Sequence, residues 1–257
     1  MTKLFAYERQ NKILEELNVQ GRITVKTLAN ELGVSEVTLR NDLKSMEKNQ
    51  LISRTHGGAV LKQDKGIIPF SERQSRNTEE KSSIALKAHS LIKEGQCILL
   101  DASSTALELA KLLKETKIRL TVITNGIFTA LELRENPELT VMLLGGFVKK
   151  DSSALEGTLG LDILTNIHVD VMFASANGFT LETGLTDFSM YEVELKLQMV
   201  KKASKLVALV DNTKIGESSI ASFSTLDNID DFITNKAVPS YIEDQLNRLN
   251  VRIIIAD

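Results

Sequence analysis

The chain has 257 residues, of which 42% are hydrophobic and 25% are charged, and its formal net charge is −3 at pH 7. These values are typical of a globular protein with a sizeable core, and they exclude disordered and fibrous chains. The first residues are charged, and no apolar run approaches the roughly 18 residues of a membrane span. We therefore expect a cytoplasmic protein with neither a secretion signal nor a membrane contact.

Cysteine and histidine usage argues against a metal site. Cys97 is the single cysteine, which excludes an internal disulfide and a cysteine-based metal cluster, and its apolar neighbours predict a core position. The three histidines, His56, His89 and His168, lie in different sequence contexts. We expect neither a metal nor another cofactor.

Length and charge divide the chain into two domains. Residues 1–62 hold ten Lys and Arg against seven Asp and Glu, a balance of +3, and the remainder has a balance of −6. A basic head on an acidic body fits a head that approaches phosphates, although many domains that bind no nucleic acid share this balance. We predict a small domain over 1–62, a linker over 63–78 and a larger domain over 79–257.

Three amphipathic helices are predicted near the N-terminus, over 7–18, 24–33 and 35–50. Thr24 and Ser35 are suited to cap the second and third helices. The short, glycine-containing turn between these two helices is typical of a helix-turn-helix, whose second helix enters the major groove of DNA.

The third helix is therefore the candidate reader of DNA. Its predicted inward surface consists of Val37, Leu39, Leu43 and Met46. Arg and Asn side chains can bond bidentately to bases, and hydroxyls can bond to phosphates or base edges. A solvated helix face carries the same residue types, so DNA contact and plain exposure remain alternatives at this point. The candidate contacts are Ser35, Glu36, Thr38, Arg40 and Asn41.

Residues 51–60 follow as a predicted β-hairpin, because two apolar pairs flank a polar centre that contains glycine. Such a hairpin is the wing of a winged helix-turn-helix. Arg54 and His56 near its tip are candidates for phosphate contacts, and the alternative for His56 is an isolated surface histidine.

This N-terminal segment resembles the DeoR family of bacterial transcription regulators. The resemblance rests on Arg9, Ile13, Leu17, the run Ser-x-x-Thr-Leu-Arg-Asn-Asp-Leu at 35–43 and the run Arg-Thr-His-Gly-Gly-Ala at 54–59. It implies a winged helix-turn-helix that binds double-stranded operator DNA. Many family members carry a second arginine where this chain has Asn41, so the operator sequence cannot be transferred.

Across residues 79–257 apolar runs alternate with helical patterns, which predicts βαβ units and a mostly parallel α/β sheet. The predicted strands are 96–101, 120–124, 139–145, 169–176, 205–210, 231–235 and 251–256. Helices are predicted between them, for example over 103–115 and 191–204.

Ligands of open α/β sheets bind beyond the carboxyl ends of the strands. The segment 101–105 joins a strand to a helix, where free N–H groups and hydroxyls can bind phosphate, although ordinary N-capping explains the same residue types. For Gly145 and Gly146 the alternative is an ordinary turn, and for Lys214 it is an exposed cation on a loop. The candidates are Asp101, Ser103, Ser104, Thr105, Asn125, Gly145, Gly146, Asn177, Gly178 and Lys214.

Glu194 and Lys196 lie two residues apart on a predicted helix and so point in different directions. We expect one of them at most to face the ligand site. A surface position is the alternative for each.

The larger domain is also similar to the effector domain of DeoR-type regulators, which resembles ribose-phosphate isomerase and related sugar-phosphate enzymes in fold. The matching runs are 101–105, 124–125, 145–146, 192–196 and 211–214. This resemblance implies a phosphorylated sugar or similar metabolite as effector, and it adds Lys196 to the candidate effector contacts.

The expected function is therefore a regulator that represses carbohydrate metabolism genes and responds to such an effector. One alternative is a sugar-phosphate isomerase with a DNA-binding head, in which Asp101, Glu194 or Lys214 moves protons. Another is a regulator with a vestigial pocket. We expect no enzyme, and we expect a homodimer or homotetramer because helix-turn-helix proteins commonly bind paired half-sites.

Overall fold

The computed structural model describes residues 9–10, 12–14, 16–17, 22–48, 52–55, 57–61, 68–149 and 152–256. The chain divides into two compact units, Met1–Ile68 and Pro69–Asp257. Over the described residues, no helix combines the length and apolar character needed to cross a membrane. The predicted phosphate contact His56 lies outside the described residues.

The first unit combines helices with a small antiparallel sheet. Its described residues between 9 and 17 are helical. They are followed by β1 (Arg22–Thr24), α1 (Val25–Leu32), α2 (Glu36–Lys48), β2 (Ile52–Thr55) and β3 (Gly58–Leu61). Strand β3 pairs with both β1 and β2. This order of elements confirms the predicted winged helix-turn-helix.

Local hydrogen bonds determine where the two helices of the motif begin. Thr24 Oγ1 accepts from the N–H of Thr27 at 3.4 Å, and Ser35 Oγ accepts from the N–H of Thr38 at 3.1 Å. Gly33 ends α1 in the left-handed conformation, with φ of 65°. Both predicted N-caps and the predicted glycine turn are confirmed.

Apolar side chains of this unit form one core cluster. Leu39, Leu43 and Met46 are at most 1% exposed, so three of the four predicted inward residues of α2 are confirmed. The prediction for Val37 is wrong, because this side chain is 65% exposed. Val37 lies two residues before Leu39, about 200° away around the helix, so a helix that buries Leu39 turns Val37 to solvent.

The second unit is built around a seven-stranded sheet. All neighbouring strands are parallel. Each strand coincides with a predicted apolar run, which confirms the mostly parallel α/β class. Their spatial order is β15 (Arg252–Ile255), β14 (Asp231–Thr234), β12 (Leu206–Leu209), β9 (Val171–Ser175), β4 (Cys97–Leu100), β5 (Leu120–Thr124) and β6 (Leu139–Leu143).

Helices cover both faces of this sheet. Side chains such as Ile98 and Phe173 pack on one face, and their neighbours Leu99 and Met172 pack on the other, as strand alternation requires. The first face carries α3 (Phe70–Ser75), α4 (Thr78–His89), α5 (Ser104–Lys114) and α6 (Ile127–Leu133). The second face carries α7 (Met190–Lys202) and α8 (Ser240–Arg248).

Two smaller antiparallel pieces are absent from the sequence prediction. One is a hairpin of β7 (Phe147–Val148) and β8 (Leu155–Glu156), and the other is a sheet of β10 (Gly178–Thr180), β11 (Gly184–Asp187) and β13 (Ala221–Ser224). Strands of two to four residues contain too few positions for an alternating pattern to be recognised.

The predicted linker differs from the observed division of the chain. Its residues 63–67 lie outside the described part, and the helix α3 belongs to the second unit. Phe70 is 5% exposed within the core of that unit, and the Lys81 ammonium donates to the carbonyl oxygens of Arg73 and Arg76. These contacts hold a short polar helix in place, so the second unit begins at residue 69 rather than 79.

We predict that Gly58→Ala destabilises the first unit. A Cβ at this position would lie 1.8 Å from the carbonyl oxygen of Ile23, so β3 and β1 would have to separate. The expected loss of unfolding free energy is about 2–3 kcal/mol, measured by hydrogen exchange of the β1 and β3 amides.

Gly57→Ala is the matched control, because no atom lies within 4 Å of a Cβ at that position. Equal exchange rates in the two variants would contradict the steric explanation.

Candidate functional site

One face of α2 is exposed to solvent in the described part of the first unit. Val37, Arg40, Asn41 and Lys44 are exposed and follow the spacing of a single helical stripe. Arg40 forms an ion pair with Glu36 at 2.7 Å along this surface. Of the five polar residues predicted here, Arg40 and Asn41 therefore face outward.

The other predicted residues of this region lie at the helix start. Ser35 is exposed, and Glu36 and Thr38 are half-buried. The hydroxyls of Ser35 and Thr38 are 2.8 Å apart, so both belong to the N-terminal cap of α2. This cap fixes the backbone of the first turn, from which recognition helices contact base edges.

A partly buried ion pair determines which face of α2 points outward. Arg9 donates from Nε to Asp42 Oδ2 at 2.7 Å and from Nη2 to Asp42 Oδ1 at 3.0 Å. Asp42 is 6% exposed, and its hydrogen bonds raise the pKa of Arg9. Because a bidentate pair restricts both distance and orientation, it locks the rotation of α2 against the N-terminal helical residues.

The hairpin β2–β3 is connected to the other end of α2. The backbone N–H of Arg54 donates to Glu47 Oε1 at 3.1 Å, and Arg54 Nη1 lies 3.6 Å from Glu47 Oε2. The Arg54 side chain is 38% exposed. The charged side chains of Arg54 on the wing and Glu47 near the end of α2 are therefore neighbours on the surface.

In the second unit, charged residues converge on the ammonium group of Lys196, whose side chain is 1% exposed. Lys196 Nζ lies 2.8 Å from Asp101 Oδ2 and 2.7 Å from Asp187 Oδ2, and it donates to the carbonyl oxygen of Ser175 at 3.0 Å. Glu192 Oε1 is 3.6 Å away, one helical turn earlier on α7. We call Asp101, Asp187, Glu192 and Lys196 the buried charge cluster.

The cluster resolves the choice between the two α7 candidates. Lys196 points inward and Glu194 is exposed, so the two side chains point in different directions, as their spacing predicts. Glu192, which entered the sequence analysis only as the end of a matching run, lies inside as well. It is four residues before Lys196, so the two share a helix face.

The burial of this cluster changes its proton affinities. Burial is the largest of the effects that together raise the pKa of Glu192 from 4.5 to about 7; the charge of Asp187 also raises it, and the charge of Lys196 lowers it. For Lys196, burial acts to lower the pKa, but the charges of Asp101, Asp187 and Glu192 outweigh it and raise the pKa. Lys196 is therefore a fixed cation, and Glu192 changes charge near neutral pH.

Asp101 links the buried charge cluster to the start of α5. Its Oδ1 accepts from the N–H of Ser103 at 3.1 Å, and its Oδ2 accepts from the N–H of Ser175 at 2.9 Å. Ser103 Oγ in turn caps α5 by accepting from the N–H of Ala106 at 3.0 Å. The first N–H groups of a helix have no partner within it, so the start of α5 has donors that can bind an anion.

Asn125 follows the neighbouring strand β5 and is fully buried. Its Nδ2 donates to the carbonyl oxygen of Leu155 at 3.2 Å, whereas Oδ1 is a buried acceptor without a partner among the described residues. An unsatisfied buried acceptor is costly, so this oxygen is available for a donor from a ligand.

The other predicted residues serve the packing of the surrounding loops. A Cβ at Gly146 would lie 2.4 Å from the carbonyl oxygen of Glu156, and one at Gly178 would lie 2.4 Å from that of Glu217. A Cβ at Gly145 would lie 3.6 Å from Gly160 Cα. Asn177 Nδ2 donates to Asp187 Oδ1 and so supports the buried charge cluster.

Two family models match this chain. The DeoR-like helix-turn-helix domain matches residues 9–65, and the DeoR C terminal sensor domain matches residues 76–236. The chain belongs to the DeoR family of transcription regulators. This membership confirms the expected functions in DNA binding and transcription regulation.

Related proteins match along nearly their whole length. The HTH-type transcriptional regulator GolR of Listeria innocua serovar 6a is 48% identical over 99% of this chain and 100% of its own. The lactose phosphotransferase system repressor of Lactococcus lactis subsp. lactis is 34% identical over 92% of this chain and 94% of its own.

Among solved structures, ribose 5-phosphate isomerase A of Methanocaldococcus jannaschii aligns with 54% of this chain and 55% of its own, with 21% identity and a TM-score of 0.41.

Two basic residues near this DeoR-family sensor site escaped the sequence analysis. Arg73 lies on α3 with its guanidinium 5.5 Å from the ring centre of Phe70 and 5.6 Å from that of Phe188, and its buried Nε has no hydrogen-bond partner in the part of the chain that the structure describes. Lys81 on α4 is 5% exposed. The available signal was the position of Arg73 within the predicted linker and of Lys81 shortly after it, but charged residues in a polar segment are ordinarily solvated.

We predict that Glu192→Gln stabilises the second unit above neutral pH. The folded state raises the pKa of Glu192 from 4.5 to about 7, so it favours the protonated carboxyl, and wild-type stability falls as pH rises through this window. The glutamine side chain resembles the protonated carboxyl group and does not ionise, so the variant should not lose stability as pH rises. We expect a gain on the order of 2–3 kcal/mol at about pH 8 and little difference at about pH 5, measured by urea denaturation.

Glu194→Gln on the exposed face of the same helix is the control and should follow the wild-type pH dependence. Parallel stability curves for wild type and Glu192→Gln across this pH range would show that Glu192 does not titrate in the cluster.

Proposed function

We propose that this regulator represses carbohydrate metabolism genes and that a phosphorylated sugar, bound by the second unit, controls its affinity for operator DNA. The observation that carries the proposal is the rigid start of α5, where the Asp101–Ser103 hydrogen bond and the Ser103 cap hold a row of hydroxyls and N–H groups in place. The names of related regulators, one of them a lactose phosphotransferase system repressor, support a role in sugar metabolism.

Cations near α5 support a phosphate group as the ligand's anion. Burial lowers the pKa of Lys81, and the charges of Asp211, Lys214, Glu108 and Arg73 also act on it. Glu108 lies on α5 itself, so the charge of Lys81 interacts with a charge on this helix. We assign the phosphate to Ser103, Ser104 and Thr105, with Lys81 and Lys214 balancing its charge.

Two buried polar atoms support a hydroxyl-rich partner for the rest of the ligand. Asn125 Oδ1 can accept a hydrogen bond from a sugar hydroxyl, and Arg73 Nε can donate one to a ligand oxygen. Both atoms lack a partner within the described chain, so ligand binding would satisfy them.

We assign supporting roles to the remaining predicted effector residues. Asp101 and Lys196 are saturated by protein partners, so they position the site rather than contact the ligand. Asn177 orients Asp187 in the same way, the close backbone contacts at Gly146 and Gly178 shape the enclosing loops, and Gly145 lies in ordinary contact with Gly160.

For the DNA-binding unit we propose that Arg40 and Asn41 contact base edges and that Arg54 and His56 contact phosphates. Ser35, Glu36 and Thr38 build the helix start that presents them. We further propose that the regulator acts in the cytoplasm as a homodimer or homotetramer, since paired half-sites require two recognition helices.

An isomerase function is the second candidate, and one observation favours it. Glu192 has a pKa of about 7 beside a fixed cation, as a general base requires. Against it, Asp101 is fully buried and already bonded to Ser103, Ser175 and Lys196. Turnover of a sugar phosphate that also stabilises the protein would favour the isomerase over a pure regulator.

We predict that a sugar phosphate raises the unfolding temperature of the full chain, whereas its unphosphorylated parent does not. A ligand at a hundred times its dissociation constant adds about 2.7 kcal/mol of stability. Ser104→Asp places a carboxylate in the phosphate position and should abolish this shift while DNA affinity is retained. The measurement is a thermal-shift screen of both proteins against sugar phosphates and their parents.

Ser240→Asp is the control for a carboxylate at a helix start, because Ser240 is the exposed first residue of its helix. It should keep the full ligand response. A normal ligand response in Ser104→Asp would contradict the assignment of the phosphate to the start of α5.

A further inference from the structure

The exposed valine of the recognition helix lies where a regulator meets its operator. Val37 is in the first turn of α2 and is 65% exposed, whereas Leu39 two residues later is fully buried. Val37 shares its helical stripe with Arg40, Asn41 and Lys44. An apolar side chain therefore lies among the polar groups that face DNA.

Val37 cannot turn inward without breaking the unit. Leu39, Leu43 and Met46 are at most 1% exposed on the opposite face, and the two hydrogen bonds between Arg9 and Asp42 hold the same rotation. The exposure of Val37 is thus a fixed property of the folded domain rather than one of several side-chain arrangements.

Charge complementarity identifies the occupant of this surface. The stripe carries the cations Arg40 and Lys44, and Glu36 beside it forms an ion pair with Arg40. Cations of this kind bond to phosphates or guanines and position the helix in the major groove. The N-terminal residues of such a helix contact base edges, so Val37 meets the floor of the groove.

The 5-methyl group of thymine is the apolar feature that a base presents in the major groove. We propose that Val37 packs against a thymine methyl of the operator and thereby determines the base preferred at that position. This inference rests on the DNA-binding function and adds a specificity residue to it.

The test uses the DNA duplex that the full-length protein selects from a randomised library. Each thymine is replaced in turn by uracil, which removes only the methyl group. At one position the substitution should weaken wild-type binding about fourfold, the value of one buried methyl group. In Val37→Ala the same substitution should change affinity less than twofold, and selection with this variant should lose the thymine preference there.

Leu86→Ala is the control, because Leu86 is 61% exposed on α4 of the second unit, and it should show the full uracil effect. Val37→Thr keeps the side-chain shape and should lose the effect in part. Equal uracil effects in wild type and Val37→Ala, or none at any thymine, would overturn the proposal while leaving DNA binding intact. Failure to select any duplex would instead contradict DNA binding itself and this proposal with it.

Discussion

The buried ammonium group of Lys196 holds together the part of the second unit where a ligand can bind. Its contacts reach Asp101 after β4, the carbonyl oxygen of Ser175 at the end of β9 and Asp187 at the end of β11. A charge this deeply buried is tolerated because oxygen atoms replace the lost water, and removal of either sign leaves the other uncompensated. The loops at the carboxyl edge of the sheet are therefore tied to each other, and α5 begins in one defined geometry.

A second ion pair orients a helix in the DNA-binding unit. Arg9 and Asp42 form two hydrogen bonds across the core boundary, and they select one rotation of the recognition helix. The face opposite Asp42 then carries Arg40, Asn41 and the exposed Val37. In both units a buried charge pair orients a surface, which is a use of such pairs that does not depend on their net contribution to stability.

Local signals made much of this structure predictable. Thr24 and Ser35 cap helices through contacts within three residues, and inner parallel strands such as β9 and β12 are buried on both faces, so they form continuous apolar runs. The burial of Lys196 could not be predicted from the sequence, because its partner Asp101 is distant in sequence and only the fold brings the two residues together. Val37 was misjudged from its apolar character, although its two-residue offset from Leu39 already indicated the opposite face.

The central claim is that occupancy of the second unit changes DNA affinity in the first. Linkage makes such coupling reciprocal, with typical factors of about 5–150 between the free and bound states. The most direct measurement is the dissociation constant of the full chain for its selected duplex at fixed salt, with and without the stabilising sugar phosphate. We expect the sugar phosphate to weaken DNA binding in wild type and to have no effect in Ser104→Asp. An unchanged dissociation constant for wild type at saturating sugar phosphate would contradict the account.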